Sequence, residues 1–194
     1  MKTIYILLTK TRTVLSRAIH ATTGDGYTHI ALALDSSLTE LYSFARKNPW
    51  TPLPAGLVKE NVHEGVYGRN ENAPCLLYRL SVTEAQHEAI RLRIAEMEAS
   101  EEPYRYSVLG ILLCRLDLAH TRCHHMFCSQ FVATLLEEAG ALQLPKPSSL
   151  MRPSDFIGIP GLQRCYEGTL AHSDAWWQLQ YETNTCIKRL NHVY

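Results

Sequence analysis

The chain has 194 residues, of which 46% are hydrophobic, and this composition excludes an intrinsically disordered protein. Lysine plus arginine and aspartate plus glutamate each count 19, so bulk charge does not favour binding to nucleic acid or to anionic lipid. The apolar run at residues 4–8 is too short for a signal-peptide core, and no stretch approaches the roughly 20 apolar residues of a membrane span. We therefore expect one domain over residues 1–194, located in the cytoplasm, with no stable membrane insertion and no nucleic-acid partner.

The first part of the chain predicts three strands and one helix. Residues 3–9 are rich in β-branched and aromatic side chains, which is typical of a strand. Helical spacing of the apolar residues predicts a helix over residues 13–24. Residues 27–35 and 38–46 read as two further strands, and the turn sequence "DSS" between them predicts an antiparallel hairpin.

The rest of the chain predicts more helix than strand. The prolines, glycines and polar residues of segment 47–75 predict loops with one short helical turn. Beyond them the pattern predicts a strand over 75–82, a helix capped by Ser81 or Thr83, and a buried helix within 103–116. It then predicts a helix that holds Cys128 and ends at Gly140, a loop over 146–161 with one helical turn, and a last strand within 165–181.

Cys128 is the cysteine whose position has chemical meaning. It falls in the first turn of a predicted helix, where unpaired N–H groups and the positive end of the helix dipole stabilise a thiolate and a developing oxyanion. The alternative is a small core residue, because Cys128 shares a helical face with Phe131 and Val132. Without a secretion signal we expect all six cysteines to be reduced, and most of them to be inert: Cys75, Cys114, Cys123, Cys128, Cys165 and Cys186.

A thiol nucleophile needs a base and a group that orients the base, and the predicted hairpin offers both. His29 lies within an apolar strand, where burying an imidazole costs free energy and therefore indicates a functional role. The alternative is a hydrogen-bonded histidine of the core. Glu40 is the only carboxylate within the predicted strand 38–46, and it could orient the imidazole from across the hairpin. The alternative for Glu40 is an ordinary exposed charge at a sheet edge.

A zinc site is the competing interpretation of the same region. Cys123, His124, His125 and Cys128 place four soft ligands close together in the sequence. Structural zinc sites, however, use two separated pairs of ligands, and no second pair with matching spacing accompanies these residues. We therefore predict no metal and no cofactor, and we interpret the adjacent histidines as part of a polar loop.

Three stretches, "YTHIALALD", "LYSFARKNP" and "FCSQFV", occur in this order within residues 3–160. Together they resemble the circularly permuted NlpC/P60 group of papain-like cysteine hydrolases, and most of all its YiiX-like branch of bacterial proteins. In that group the histidine precedes the cysteine, as here. The resemblance implies an α+β fold in which an antiparallel sheet packs against helices, including the helix of the cysteine.

The resemblance also implies the roles of the candidate residues. Cys128 would be the nucleophile and His29 the base. The third catalytic residue of the group lies on the strand after the histidine, which favours Glu40 and leaves Ser43 as the fallback. Residues expected to contact the substrate are Tyr27, Ser43, Trp50 and Ser129.

The implied reaction is hydrolysis or acyl transfer at an amide or ester bond, through an acyl-thioester on Cys128. The substrate would be a small molecule, a peptide or a lipid acyl group, and the sequence leaves both the substrate and the acyl acceptor open. Two further functions remain as alternatives. One is a non-catalytic ligand-binding module on the same fold, and the other is a zinc-stabilised interaction protein.

Overall fold

The computed structural model describes residues 1–10, 26–47 and 54–172. The predicted helix over residues 13–24, Trp50 and Cys186 lie outside the described residues. Within them, no helix is long and apolar enough to cross a membrane.

Eight strands form one sheet in the described part of the chain. They are β1 (Lys2–Thr9), β2 (His29–Ala33), β3 (Leu41–Arg46), β4 (Ala55–Glu60), β5 (Pro74–Val82), β6 (Arg105–Tyr106), β7 (His125–Met126) and β8 (Gln163–Thr169). Their order across the sheet is β7–β6–β4–β3–β2–β1–β5–β8.

The fold is α+β, as predicted, but the sheet is not wholly antiparallel. Every pairing between neighbouring strands is antiparallel except that of β6 with β7, which is parallel. A helix lies between these two strands in the sequence, so the chain crosses over and returns in the same direction. The predicted antiparallel hairpin of β2 and β3 is confirmed, and so are strands β1, β5 and β8.

Within the described residues, the sheet is accompanied by four α-helices: α1 (Gly65–Gly68), α2 (Glu84–Ala99), α3 (Val108–Arg115) and α4 (Cys128–Glu138). The cap of α2 is Thr83 rather than Ser81, because its hydroxyl accepts the Gln86 N–H and the Gln86 side chain reaches back to the Thr83 N–H. Gly140 follows α4 with a positive φ of 59°, as expected of a residue that ends a helix. The segment after α4 holds two 3₁₀ turns, Ser148–Leu150 and Pro153–Phe156, where one turn was predicted.

Two predictions about individual elements were wrong. Segment 47–75 contains strand β4 in addition to the predicted short helix, which is α1. Helix α3 is not buried, since the side chains of Val108, Leu109 and Leu112 are each more than half exposed. The apolar sequence of α3 indicated burial, but only one side of this short helix packs inward, with Gly110 and Cys114 buried.

The separation of β2 from β3 makes room for the amino end of α4. These strands pair only at Leu32–Tyr42 and Ala33–Leu41, whereas β3 pairs with β4 along its whole length. Helix α4 packs against both β2 and β3, and the Phe131 ring lies 5.1 Å from the Phe44 ring. His29, at the start of β2, therefore lies at the end of the hairpin where its two strands have parted.

Candidate active site

Cys128 is the first residue of α4, and the preceding Phe127 has an extended backbone. Phe127 has no side-chain acceptor with which to cap the helix, so its side chain leaves the N–H groups of the first turn uncapped. The Cys128 side chain belongs to the main core and the residue is only 4% exposed. A negative charge on its sulfur would lie at the positive end of the helix dipole.

His29 connects the thiol of Cys128 to a carboxylate. Its imidazole interacts with the Cys128 thiol, and its Nε2 lies 3.2 and 3.3 Å from the two carboxylate oxygens of Glu60. The His29 and Glu60 side chains are only 14% and 10% exposed. Cys128, His29 and Glu60 therefore form a nearly buried chain of thiol, imidazole and carboxylate, and in such a chain an imidazole can exchange a proton with a thiol.

The electrostatic surroundings keep the His29 imidazole protonated. Burial by itself lowers the pKa of this histidine, but the Glu60 carboxylate and the hydrogen bond with Cys128 oppose burial and raise the pKa from 6.5 to about 10. Because Nε2 faces Glu60, the nitrogen left to exchange a proton with the thiol is Nδ1. His29 is thus an imidazolium at neutral pH, next to the sulfur that becomes negative.

Tyr67 of α1 holds the carboxylate in place. Its hydroxyl donates a hydrogen bond of 2.9 Å to Oε2 of Glu60, and its ring centre lies 6.1 Å from that of His29. Burial and the nearby Glu60 raise the pKa of the Tyr67 hydroxyl well above its usual value, so the hydroxyl remains a donor. The Glu60 oxygens are therefore shared between the phenol and the imidazolium, which fixes the direction in which the carboxylate points.

Tyr106 of β6 approaches the thiol from another side. Its hydroxyl interacts with the Cys128 side chain, and burial followed by the charge of Cys128 raises the pKa of the phenol well above its usual value. The hydroxyl is consequently a protonated donor beside the sulfur. A donor in this position can stabilise a negative charge that develops on an atom bonded to the sulfur.

Two pockets of different character flank the chain of catalytic groups. An apolar pocket opens beside Cys128, and its lining includes Thr28, Tyr106, Ile111, Phe127, Ser129 and Met151. A polar cleft borders Glu60 and Tyr67, and its lining includes Arg46, Lys47, Asn61 and Glu64. An apolar substrate group fits the first pocket, and a polar or charged group fits the second.

Glu40 does not reach His29. It is exposed in the turn before β3, where its backbone N–H donates to Asp35 and its carbonyl accepts from Leu34. In the antiparallel hairpin, residue 40 lies next to the turn, whereas His29 lies at the opposite end of β2. The carboxylate beside His29 comes instead from Glu60, the last residue of β4.

The other residues expected at the site are dispersed. Ser129 lines the apolar pocket beside Cys128. Ser43 is fully buried in β3, and its hydroxyl has no hydrogen-bond partner in the described part of the chain. Tyr27 is half-buried, and its electrostatic neighbours, among them Glu167, lie on β5 and β8. Trp50 lies outside the described residues.

Sequence reasoning missed Glu60, Tyr67 and Tyr106. The signal for Glu60 was the pair Leu57 and Val58 just before it, which is compatible with a strand but is surrounded by proline- and glycine-rich sequence. Tyr67 and Tyr106 lie on elements of only four and two residues, which produce no periodic pattern. Only the folded chain brings these three side chains together.

The residues of the zinc interpretation have other contacts. The His124 ring lies against Tyr104 and its Nδ1 is 3.1 Å from Glu102, while Nδ1 of His125 lies 2.8 Å from the Cys123 carbonyl. Over the ranges 1–10, 26–47 and 54–172, no group of three or more His, Cys, Asp or Glu side chains is arranged to hold a metal ion.

No protein-family model and no curated protein sequence matches the chain. Among solved structures, the chain is similar to the metalloprotein YiiX from Escherichia coli O157:H7, with a TM-score of 0.54 and 14% sequence identity over 87% of this chain and 98% of that chain. At this identity the similarity is one of fold. Cys128, His29 and Glu60 of this chain do not fit a metal ion, because the Glu60 oxygens are already hydrogen-bonded to His29 and Tyr67. The fold of this chain is YiiX-like.

Proposed function

We propose that the protein is a cysteine-dependent hydrolase or acyltransferase that acts on an amide or ester bond. The observation that carries the proposal is the His29 imidazole, held between the Cys128 thiol and the Glu60 carboxylate at the amino end of a helix. The order of histidine before cysteine and the YiiX-like fold support a circularly permuted NlpC/P60 domain of the papain-like type. In this proposal Glu60 takes the role that the sequence assigned to Glu40.

The reaction begins with the Cys128 thiolate and the His29 imidazolium. The thiolate attacks the acyl carbon, and the oxygen of the tetrahedral intermediate receives hydrogen bonds from the first-turn N–H groups of α4 and from the Tyr106 hydroxyl. His29 then gives its proton to the departing amine or alcohol, the bond to that group breaks, and the acyl group remains on the sulfur as a thioester.

In the release of the acyl group, His29 acts as a proton acceptor instead of a proton donor. Neutral His29 removes a proton from an incoming nucleophile, which attacks the thioester carbon, and the thiolate departs next to the re-formed imidazolium. Water as the nucleophile gives hydrolysis, and an alcohol or amine gives acyl transfer. Glu60 and Tyr67 act by position, since they hold Nε2 so that Nδ1 faces the sulfur.

The apolar lining of the pocket beside Cys128 favours a substrate with an apolar acyl portion. The exposed surface of the pocket beside Cys128 is almost entirely carbon, although Thr28, Ser129 and two arginines, Arg115 and Arg152, contribute to its lining. The cleft on the other side of Glu60 is lined by charged side chains and fits the polar part of the substrate or the acceptor. Because the pocket holds only about 40 Å³, the apolar portion is small, and a small amide or a peptide with a small apolar residue meets this description.

Alkylation of each cysteine by iodoacetamide as a function of pH tests the proposal. Burial raises the pKa of the Cys75 thiol to about 12, and burial also raises the pKa values of Cys114 and Cys165, so these three should react slowly at neutral pH. Cys128 should react at least about tenfold faster than the exposed Cys123 near pH 6, because a neighbouring imidazolium stabilises its thiolate.

Peptide mass spectrometry reads both rates in the same sample, so Cys123 serves as an internal control. A binding module that does not use the thiol gives a different result, in which Cys128 reacts no faster than Cys123 across the pH range. That result would overturn the proposal.

A further inference from the structure

The wall of the apolar pocket beside Cys128 contains a buried hydroxyl that has no partner. Thr28 lines this pocket and is only 6% exposed, and its Oγ1 makes no hydrogen bond within residues 1–10, 26–47 and 54–172. A hydroxyl that is withdrawn from water without a partner destabilises the folded state, so such a group in a native protein needs an explanation. A substrate atom that enters the pocket would supply the missing partner.

Strand geometry directs the Thr28 side chain towards the pocket. The Thr28 N–H donates to the Thr9 carbonyl, so the pairing of β1 with β2 continues to the residue before β2. Side chains alternate between the two faces of a sheet, and Thr28 therefore lies on the same face as Ile30 and Leu32. These two residues pack in the main core together with Cys128. The Thr28 side chain is thus on the side of the sheet that carries helix α4.

The Thr28 hydroxyl is not fixed in its present position. The exposed surface of the pocket is almost entirely carbon, so Oγ1 lies behind this surface. The hydroxyl and methyl groups of a threonine exchange positions when the side chain turns between staggered rotamers. Because Oγ1 of Thr28 has no hydrogen bond to lose, this turn breaks none. A bound acyl group with a hydrogen-bonding atom would select the rotamer that reaches it.

The polar groups around the pocket favour a hydrogen-bond acceptor as that atom. The first-turn N–H groups of α4, the Tyr106 hydroxyl and Nε of Arg152 are donors, and this Nε is also buried without a partner in the described part of the chain. No Asp, Glu, Asn or Gln side chain of the described residues lines the pocket. An uncharged acceptor fits best, because the Arg152 guanidinium is already 3.3 Å from Asp117 and a carboxylate would be costly to bury among apolar side chains.

We propose that the pocket beside Cys128 binds a short acyl group that carries a second carbonyl oxygen, and that the Thr28 hydroxyl donates a hydrogen bond to this oxygen. The pocket holds only about 40 Å³, so the second carbonyl lies within a few bonds of the acyl carbon. A purely hydrocarbon chain leaves the hydroxyl unpaired and is the poorer substrate. The inference rests on the proposed function, since the acyl group is the one that Cys128 receives.

Two matched esters test the inference. In p-nitrophenyl 4-oxopentanoate a carbonyl group replaces one CH₂ group of p-nitrophenyl pentanoate. The first-turnover release of p-nitrophenol gives the acylation rate with each ester. We define the carbonyl preference as the ratio of these rates, oxo ester over plain ester, divided by the same ratio for reaction with free 2-mercaptoethanol. The wild type should show a carbonyl preference of about three- to tenfold, which is what one hydrogen bond contributes.

Substitutions at Thr28 separate the hydroxyl from the shape of the side chain. Thr28→Val keeps the shape and removes the hydroxyl, and it should lower the carbonyl preference about three- to tenfold. Thr28→Ser retains the hydroxyl and should retain the preference. Because Thr28→Val removes an unpaired buried hydroxyl, its free energy of unfolding in urea should be no lower than that of the wild type. A lower value would give the hydroxyl a structural role and overturn the inference.

Ser154→Ala is the matched control. The Ser154 hydroxyl is also buried without a partner in the part of the chain that is described, but Ser154 does not line the pocket. Its replacement should leave the carbonyl preference within about twofold of wild type.

Three further results would overturn the inference. They are a wild type without carbonyl preference, equal losses with both esters in Thr28→Val, and an equal loss of the preference in Ser154→Ala. If pentanoate still gives a burst of p-nitrophenol, any of these results leaves the proposed function standing. The absence of a burst with both esters would overturn the proposed function and this inference with it.

Discussion

Replacement of His29 by glutamine is expected to lower the rate at which Cys128 is acylated by p-nitrophenyl butyrate by about 10²- to 10⁴-fold at neutral pH. Glutamine can still hydrogen-bond to Glu60, but it can neither hold a proton beside the sulfur nor deliver one to the leaving group. The release of p-nitrophenol in the first turnover measures this rate directly.

His125→Gln is the matched control for that experiment. His125 lies three residues before Cys128 in the sequence, and its Nδ1 is 2.8 Å from the Cys123 carbonyl. Its replacement should leave the acylation rate within about twofold of wild type, because it is not part of the catalytic chain. Equal losses in the two variants would contradict the role assigned to His29 and favour a function for the histidines next to the cysteine.

Glu60→Gln is expected to slow acylation of Cys128 by about 10- to 100-fold, whereas Glu40→Gln should have almost no effect. The Glu60 carboxylate is what opposes the effect of burial on His29. Without this charge the pKa of His29 falls, and the thiolate loses its positively charged neighbour at neutral pH. The same amide replacement at the exposed Glu40 controls for the loss of one negative charge from the protein.

The same pair of variants tests how the stability of the folded protein depends on pH. The pKa of His29 is raised from 6.5 to about 10 in the folded protein, so its protonated form stabilises the folded state fully below pH 6.5, and this contribution is lost as the pH rises to about 10. Urea unfolding should therefore show the stability difference between wild type and Glu60→Gln becoming smaller across that range. A difference that stays constant, or one that Glu40→Gln reproduces, would contradict the assignment of Glu60.

Local patterns were sufficient to single out Cys128 and His29 as candidates. Cys128 stood at the start of an amphipathic helix and His29 stood within an apolar strand, and both signals lie within a few neighbouring residues. In the structure these two side chains interact with each other.

The carboxylate next to His29 could not be predicted from local sequence, because its place beside the imidazole depends on tertiary structure. Glu40 was chosen because it is the only carboxylate in the predicted strand after that of His29, but an antiparallel hairpin places residues near its turn far from the ends of its strands. Glu60 comes from the following strand, whose sequence resembles a loop. The exposure of α3 was missed for a related reason, since an apolar helix with one exposed side has the same composition as a buried one.

The most direct test of the account is to find which atom receives the acyl group. The protein is mixed with p-nitrophenyl butyrate, quenched in acid within the first turnover and digested, and the acylated peptide is identified by mass spectrometry. We predict one butyryl group on Cys128 and none on that peptide in Cys128→Ala, which should also lose the burst of p-nitrophenol. A butyryl group on Cys123 or Ser43, or a burst that persists in Cys128→Ala, would contradict the account.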